Sequence, residues 1–104
     1  MAQFTLYRNK NPRSKADVPY LLDVQNDLLS ELGTRVVIPL YHKKAVRKPI
    51  TRLMPELEIE GKVYILMTPQ MAGIPLDVLG EPSGNLSQYR AEIIAAIDLL
   101  LLGF

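Results

Sequence analysis

The chain has 104 residues, of which 48% are hydrophobic and 22% are charged. This length and composition predict one folded domain over residues 1–104 and exclude a chain that is disordered throughout. Twelve Lys and Arg side chains against eleven Asp and Glu give a net charge of +1, too balanced to indicate nucleic-acid or membrane binding by itself. The chain has no cysteine, which excludes disulfides, thiol nucleophiles and thiolate metal sites.

The sequence gives no sign of an export or membrane segment. Residues 1–10 lack the continuous apolar run of a signal peptide. The most apolar stretch, residues 93–104, is twelve residues long and contains Asp98, whereas a spanning helix needs about 20 apolar residues. Since a chain without cysteine suits a reducing compartment, we expect a cytoplasmic protein that does not bind membranes.

Charges and prolines are unevenly distributed along the chain. Residues 1–52 carry ten basic and four acidic side chains, whereas residues 53–104 carry two and seven, so one face is expected to be basic. All eight prolines precede residue 83, which predicts strands and turns there and leaves the last 22 residues free to form a helix. We therefore divide the domain into a β portion over 1–84 and a C-terminal helix and tail over 85–104.

The first strands are predicted from alternation. Phe4 and Leu6 alternate with polar neighbours and with Tyr7, a period of two that is typical of a half-buried strand. Polar and charged residues over 9–19 predict an exposed hairpin loop. Residues 20–24 then form the returning strand.

A buried strand and a basic surface segment follow. Residues 36–40 are apolar on both faces, which predicts a buried strand, and Pro39 predicts that it lies near an edge or a bulge. Residues 43–52 hold five basic side chains and Pro49, which indicates a surface loop or short helix. Such a segment binds phosphate, binds an acidic protein partner, or is simply solvated, and the last two are the commoner cases.

The clearest local pattern is a hairpin. Residues 56–60 alternate between Glu and apolar side chains, Gly61 turns the chain, and residues 63–67 return. A further strand is predicted over 74–79, after which the chain leads through Gly80 and Pro82 into the helix. The total is five or six strands.

The C-terminal segment predicts an amphipathic helix with an apolar surplus. Asn85 and Gln88 have the spacing of a capping box, which places the helix start there. One helix face carries Leu86, Tyr89, Ile93, Ile97 and Leu100. Residues 99–102 are apolar all round, and Gly103 is typical of a helix end. Because one small core cannot cover every side chain of such a turn, we expect self-association or contact with a target protein.

Residues with catalytic chemistry are few. His42, the only histidine, is better interpreted as a surface residue than as a general base, because no nucleophile motif accompanies it. No metal site is expected, since one histidine and no cysteine leave only carboxylates, and those of Glu56, Glu58 and Glu60 share one exposed strand face. A polar cluster follows the second strand, and turn capping is favoured over catalysis for its members, Asp23, Gln25, Asn26 and Asp27.

Several blocks of the sequence together resemble the CcdB family of bacterial toxins over nearly the whole chain. The most specific blocks are Asp-Val-Gln-x-Asp at residues 23–27 and Val-Ile-Pro-Leu at residues 37–40. The other matching segments are Gln3-Phe4, Leu28-Leu29, Arg35-Val36, residues 71–75, Leu86-Ser87, and residues 96–99 leading to a final Gly before an apolar residue.

The resemblance implies an SH3-like β-barrel with a small additional sheet and a C-terminal helix, the fold shared by CcdB, MazF and Kid, and it implies a homodimer. It also implies the toxin of a type II toxin–antitoxin module, of the kind that serves plasmid maintenance. Such toxins bind the A subunit of DNA gyrase and trap gyrase that is covalently joined to cleaved DNA. The protein is therefore expected not to be an enzyme, with no catalytic residue, metal or cofactor.

The resemblance further implies a CcdA-like antitoxin, which neutralises the toxin with an intrinsically disordered segment. Operator DNA is expected to bind only the complex with the antitoxin, and that complex represses transcription of the operon. The basic half of this chain suits an acidic disordered partner.

By the same resemblance, the gyrase contacts fall on the end of the helix and on one early loop. The residues are Leu28, Leu29, Asp98, Leu101, Leu102, Gly103 and Phe104. The family's best-known pattern has an Asn at the place of Asp98 and a Phe and a Trp at the places of Leu101 and Leu102. Because Leu lacks the flat face and indole donor of Trp, the affinity for gyrase is expected either to fall or to be recovered elsewhere, for instance by Phe104.

Two alternatives share the fold. An endoribonuclease of the MazF or Kid type needs a base and a cation at the phosphate, and the only candidates here are Asp23 or Asp27 with Arg35 or His42. The other alternative is an inactive homologue that binds the antitoxin without poisoning gyrase, which the missing aromatic residues would permit.

Overall fold

The computed structural model describes residues 2–104, which form seven strands and one α-helix. The elements are β1 (Thr5–Asn9), β2 (Tyr20–Asp23), β3 (Thr34–His42), β4 (Glu56–Ile59), β5 (Lys62–Leu66), β6 (Ala72–Pro75), β7 (Leu79–Asn85) and α1 (Arg90–Leu102). All strand pairs are antiparallel, in the order β4-β5-β3-β2-β1-β7, with β6 beside β3 off that path. The sheet curls into a half-barrel, which confirms the expected fold, mainly β with a C-terminal helix.

Strand β3 is the centre of the sheet and changes partners along its length. It pairs with β2 over residues 37–40, and on its other side with β6 over residues 34–37 and with β5 over residues 40–42. Of the two predictions for Pro39, an edge or a bulge, the edge is therefore wrong. Pro39 lies where β3 passes from β6 to β5, and its carbonyl accepts a hydrogen bond from the Met67 N–H there, at 2.9 Å. Because the ladder is interrupted at this point, the missing N–H of proline removes no strand hydrogen bond.

The region after residue 70 contradicts the prediction of one strand over 74–79. Strand β6 ends at Pro75, a 3₁₀ turn covers Leu76–Val78, and β7 begins at Leu79. The two strands raise the total to seven, instead of five or six. Pro82, which was expected on the way from that strand into the helix, lies inside β7, and an edge strand that pairs only with β1 tolerates it. Gly80 is needed in β7 because a Cβ there would overlap the Arg8 carbonyl.

The β4–β5 hairpin agrees with the sequence. Leu57 and Ile59 are buried, whereas Glu56, Glu58 and Glu60 are exposed. The turn places Glu60 at φ 52° and Gly61 at φ 80°. Glycine adopts such a conformation without steric cost, which explains its position at the second turn residue.

Strand β1 is buried on both faces, which corrects the prediction of a half-buried strand. Leu6 is 1% exposed and packs in the main core, and Phe4, just before the strand, is buried in the same cluster. Tyr7 is also buried, in a smaller cluster with Val37 and Leu79 on the opposite face. Alternation missed this because Tyr has a polar hydroxyl on an otherwise apolar ring.

Helix α1 starts five residues later than the sequence predicted. Asn85 Oδ1 accepts a hydrogen bond from the Ser87 N–H at 2.8 Å, but the element that follows is a 3₁₀ turn over Ser87–Tyr89, whose N-cap residue, Leu86, makes no side-chain cap bond. The α-helix follows from Arg90, and its Ile93 and Ala96 are fully buried against the sheet. Within residues 2–104, no helix has the length and apolar content needed to cross a membrane.

Candidate functional site

Apolar side chains are exposed to solvent at the C-terminal end of α1. Ile93 and Ala96 hold the helix to the core, whereas Leu101 is 65% exposed and Leu102 is 63% exposed. Gly103 ends the helix in the left-handed conformation, at φ 82°, and its N–H donates to the Leu99 carbonyl at 3.1 Å. This is a standard glycine C-cap. We call residues 101–104 the tail.

Phe104 and Asp98 complete the predicted contact residues of this region. Phe104 follows the cap with its ring 81% exposed. Asp98, which lies one turn before Leu102, is also exposed. The tail is thus an apolar surface on a short helix end, the type of surface that protein partners cover.

The other two predicted contact residues lie on a 3₁₀ turn, Asp27–Leu29, which we call the Leu28 turn. Asn26 caps it, because its Oδ1 accepts a hydrogen bond from the Leu28 N–H at 2.8 Å. Leu28 is 89% exposed and Leu29 is 50% exposed. A short, capped turn therefore presents two leucine side chains to solvent.

A buried polar network lies beneath the Leu28 turn and consists of Asp23, Gln25 and Arg35. Arg35 donates from Nε to Asp23 Oδ2 at 2.8 Å and from Nη2 to Asp23 Oδ1 at 3.0 Å, and both side chains are fully buried. Burial raises the pKa of the Asp23 carboxyl, although the hydrogen bonds and charge of Arg35 and the Gln25 N–H act to lower it. The expectation that this polar cluster is structural agrees with these contacts, but the sequence did not pair Arg35 with Asp23 in that role.

In the described part of one chain, the Leu28 turn and the tail are not connected through hydrogen bonds. The Asp27 carboxylate accepts a hydrogen bond from the Gln3 N–H at 2.6 Å, which ties the turn to the start of the chain. Phe4, the next residue, contacts the beginning of α1, with the Arg90 guanidinium 5.7 Å from its ring centroid. Arg90 and Leu102 lie at opposite ends of α1, about 18 Å apart at 1.5 Å per residue. Within residues 2–104, no hydrogen bond joins the turn to the tail.

The groups that a ribonuclease would use are not arranged as a catalytic set. Asp23 and Arg35 are buried against each other and reach no surface. Asp27 is occupied by the Gln3 N–H, and His42 lies 5.1 Å from the Tyr64 ring in a tilted stack. Within residues 2–104 there is also no group of three His, Asp or Glu side chains that could hold a metal ion.

The basic segment lies on the surface, as the sequence indicated. Lys43 and Lys44 are in a 3₁₀ turn and are exposed. Together with His42, Lys62 and Val63 they line an open depression of about 400 Å³. Lys43 forms an ion pair with Glu56 at 3.1 Å, and both side chains are largely exposed, so this pair adds little stability.

A family model described as "CcdB protein" matches residues 3–103 of the 104. The matched range contains the Leu28 turn, the buried network, α1 and Gly103. Phe104 lies just outside it.

Proposed function

This chain belongs to the CcdB family of toxins from toxin–antitoxin systems, and we propose that it poisons DNA gyrase by binding the gyrase A protein, GyrA. The proposed contact residues are those of the tail and the Leu28 turn, together with Asp98. In this mechanism the bound toxin keeps gyrase in the state that is covalently joined to cleaved DNA. The toxin stabilises that state by contact and carries out no bond-making step of its own.

The observation that supports this proposal best is the exposure of the tail. A leucine gains about 1.5–3 kcal/mol when it is moved from water into an apolar site. Leu101 and Leu102 do not receive most of this stabilisation because they are largely exposed to water, and Phe104 is more exposed still. Large apolar side chains that cluster at the end of an anchored helix are typical of an interface whose partner covers them.

Phe104 is the proposed aromatic anchor of the interface. Aromatic rings contribute large contact areas to interfaces and lose little conformational entropy on binding. Gly103 lacks a side chain, and no atom lies within 4 Å of where a Cβ would be. The backbone at Gly103, beside Phe104, is therefore open to close approach by a target protein.

The proposal includes three further associations. A CcdA-like antitoxin with an acidic, disordered segment binds the toxin, and the excess of basic side chains in residues 1–52 favours such a partner. The toxin is a homodimer. Operator DNA is bound by the toxin–antitoxin complex, which represses transcription, and not by the toxin alone.

Binding to purified GyrA tests the proposal directly. We expect the wild-type protein to bind GyrA in calorimetry and to inhibit supercoiling of plasmid DNA by the whole enzyme. The same preparation should leave structured RNA uncut. Absence of gyrase binding would contradict the proposal, and RNA cleavage would then indicate the ribonuclease alternative. If the protein bound only an antitoxin peptide, it would be an inactive homologue.

A further inference from the structure

Three buried polar side chains form a network that is hydrogen-bonded to the turn that carries the most exposed leucine of residues 2–104. We infer that Asp23, Gln25 and Arg35 form a positioning network that holds Leu28 out in solvent as a preformed gyrase contact. This inference rests on the proposed function, because it assigns a role to residues behind the proposed contact surface. None of the three reaches the target itself, since their side chains are at most 7% exposed.

Gln25 connects the Leu28 turn to the centre of the sheet. Its side-chain Nε2 donates to the Leu29 carbonyl at 3.0 Å, at the end of the turn. Its Oε1 accepts from the Val36 N–H at 3.0 Å, on the central strand β3. One amide group therefore fixes the distance between the exposed turn and the central strand of the sheet.

Asp23 and Arg35 fix the backbone of Gln25 from both sides. The Gln25 N–H donates to Asp23 Oδ1 at 3.0 Å, and the Gln25 carbonyl accepts from Arg35 Nη2 at 3.1 Å. The ion pair between Asp23 and Arg35 holds these two groups at fixed positions. The chain from Arg35 to Leu29 is thus continuous through hydrogen bonds of ordinary length.

The composition of this network is better explained by positioning than by stability. Burying an ion pair costs desolvation of both charges, and apolar residues of similar volume are often equally stabilising. Arg35 Nη1 also has no hydrogen-bond partner among the described residues, although it is buried. Although burial of this pair costs free energy and one Arg35 nitrogen has no partner, its hydrogen bonds still fix the positions of the groups they join, because each bond requires a defined orientation. An apolar core beneath the turn would leave the Leu29 carbonyl without that restraint.

The variant Gln25→Glu tests the inference with a small change. A carboxylate at this position still accepts from the Val36 N–H, but it has no donor for the Leu29 carbonyl. For Gln25→Glu we expect affinity for GyrA to fall about tenfold, and we expect the same loss for Leu28→Ala. The double variant should bind no more weakly than either single variant. Combination with Phe104→Ala should instead multiply the two losses, because the tail is a separate contact.

Two controls separate positioning from general damage. Gln88→Glu makes the same chemical change at an exposed site and should bind as the wild type does. Amide hydrogen exchange at Leu29 and Ser30 should be at least about tenfold faster in Gln25→Glu, whereas exchange in the β1–β2 ladder should be unchanged. Loss of protection throughout the sheet would mean that Gln25→Glu is unstable as a whole. The uncharged variant Gln25→Asn, whose amide is too short to span both partners, should then give the local changes in exchange and in affinity.

The inference would be overturned if Gln25→Glu and Gln25→Asn bound as tightly as the wild type while Leu28→Ala bound weakly. Losses that multiplied with Leu28→Ala as they do with Phe104→Ala would overturn it equally. A wild-type protein that did not bind GyrA would instead overturn the proposed function, and with it the role of Leu28 as a contact.

Discussion

The guanidinium of Arg35 and the carboxylate of Asp23 form a two-point ion pair, with distances of 2.8 and 3.0 Å, in which both side chains are fully buried. The pair connects strand β3 to the end of β2, where the chain leaves the sheet for the Leu28 turn. Because burial disfavours the charged form of Asp23, the carboxylate and the guanidinium depend on each other.

Removal of the cation alone should therefore be costly. For Arg35→Met we expect the free energy of unfolding to fall by about 3–5 kcal/mol, because Asp23 would be left buried and unpaired. Urea denaturation at neutral pH, followed by circular dichroism, measures this change. The matched control is the double variant Asp23→Leu, Arg35→Met, which contains no unpaired charge and should lose less than the single variant. A single variant as stable as the wild type would contradict the structural role of the pair.

Alkaline pH should destabilise the protein through two tyrosines. Burial raises the pKa of Tyr7 and of Tyr64, with further contributions from Asp23 at Tyr7 and from Tyr20 at Tyr64. The unfolded chain, with an ordinary tyrosine pKa near 10, therefore loses its protons first. The stability that these hydroxyls contribute is complete below about pH 10 and is lost as the pH rises through the raised native values.

The pH effect can be measured from urea midpoints at intervals from about pH 8 upward. Midpoints should fall above about pH 10, and less steeply in Tyr7→Phe and Tyr64→Phe. If both variants followed the wild-type curve, other groups would be responsible for the alkaline loss.

Substitutions in the buried part and in the exposed end of α1 should affect stability and binding differently. Ile93→Ala removes a fully buried side chain from the core and should lower the free energy of unfolding by about 2–5 kcal/mol. Leu101→Ala removes a side chain that is 65% exposed, and should change stability by less than about 0.5 kcal/mol. Binding should follow the opposite order, with Leu101→Ala weakening the affinity for GyrA and a folded Ile93→Ala protein retaining it. Calorimetric titration at a temperature where both variants are folded distinguishes the two effects.

The parts of the fold that follow from local patterns were predictable from the sequence. Alternation in residues 56–60 with Gly61 predicted the β4–β5 hairpin, and the apolar run at 36–40 predicted the buried part of β3. The exposed tail was also expected, since an all-apolar helical turn has more apolar surface than one core can cover.

The sequence predictions were wrong where the structure depends on which strands are neighbours in the sheet. Pro39 suggests an edge or a bulge from the local sequence, but β3 changes partners at that residue, and only the pairing of β5 and β6 reveals this. Pro82 was expected between the last strand and the helix, yet it lies in β7, which tolerates it because that strand is an edge. The partnership of Arg35 with Asp23 was missed for the same reason, since the two residues meet only when β2 pairs with β3.

The central claim is tested most directly by measuring how much DNA gyrase cleaves in the presence of two glycine variants of this protein. Gly103 has φ 82° and Gly61 has φ 80°, and no atom lies within 4 Å of a Cβ at either position. Gly103→Glu and Gly61→Glu therefore carry the same charge and the same backbone strain of about 1–2 kcal/mol, but only the first lies in the tail. After detergent and protease treatment, we predict linear plasmid with the wild type and Gly61→Glu, and none with Gly103→Glu. Equal cleavage with both variants would show that the tail does not contact gyrase, and no cleavage with the wild type would show that this protein is not a gyrase poison.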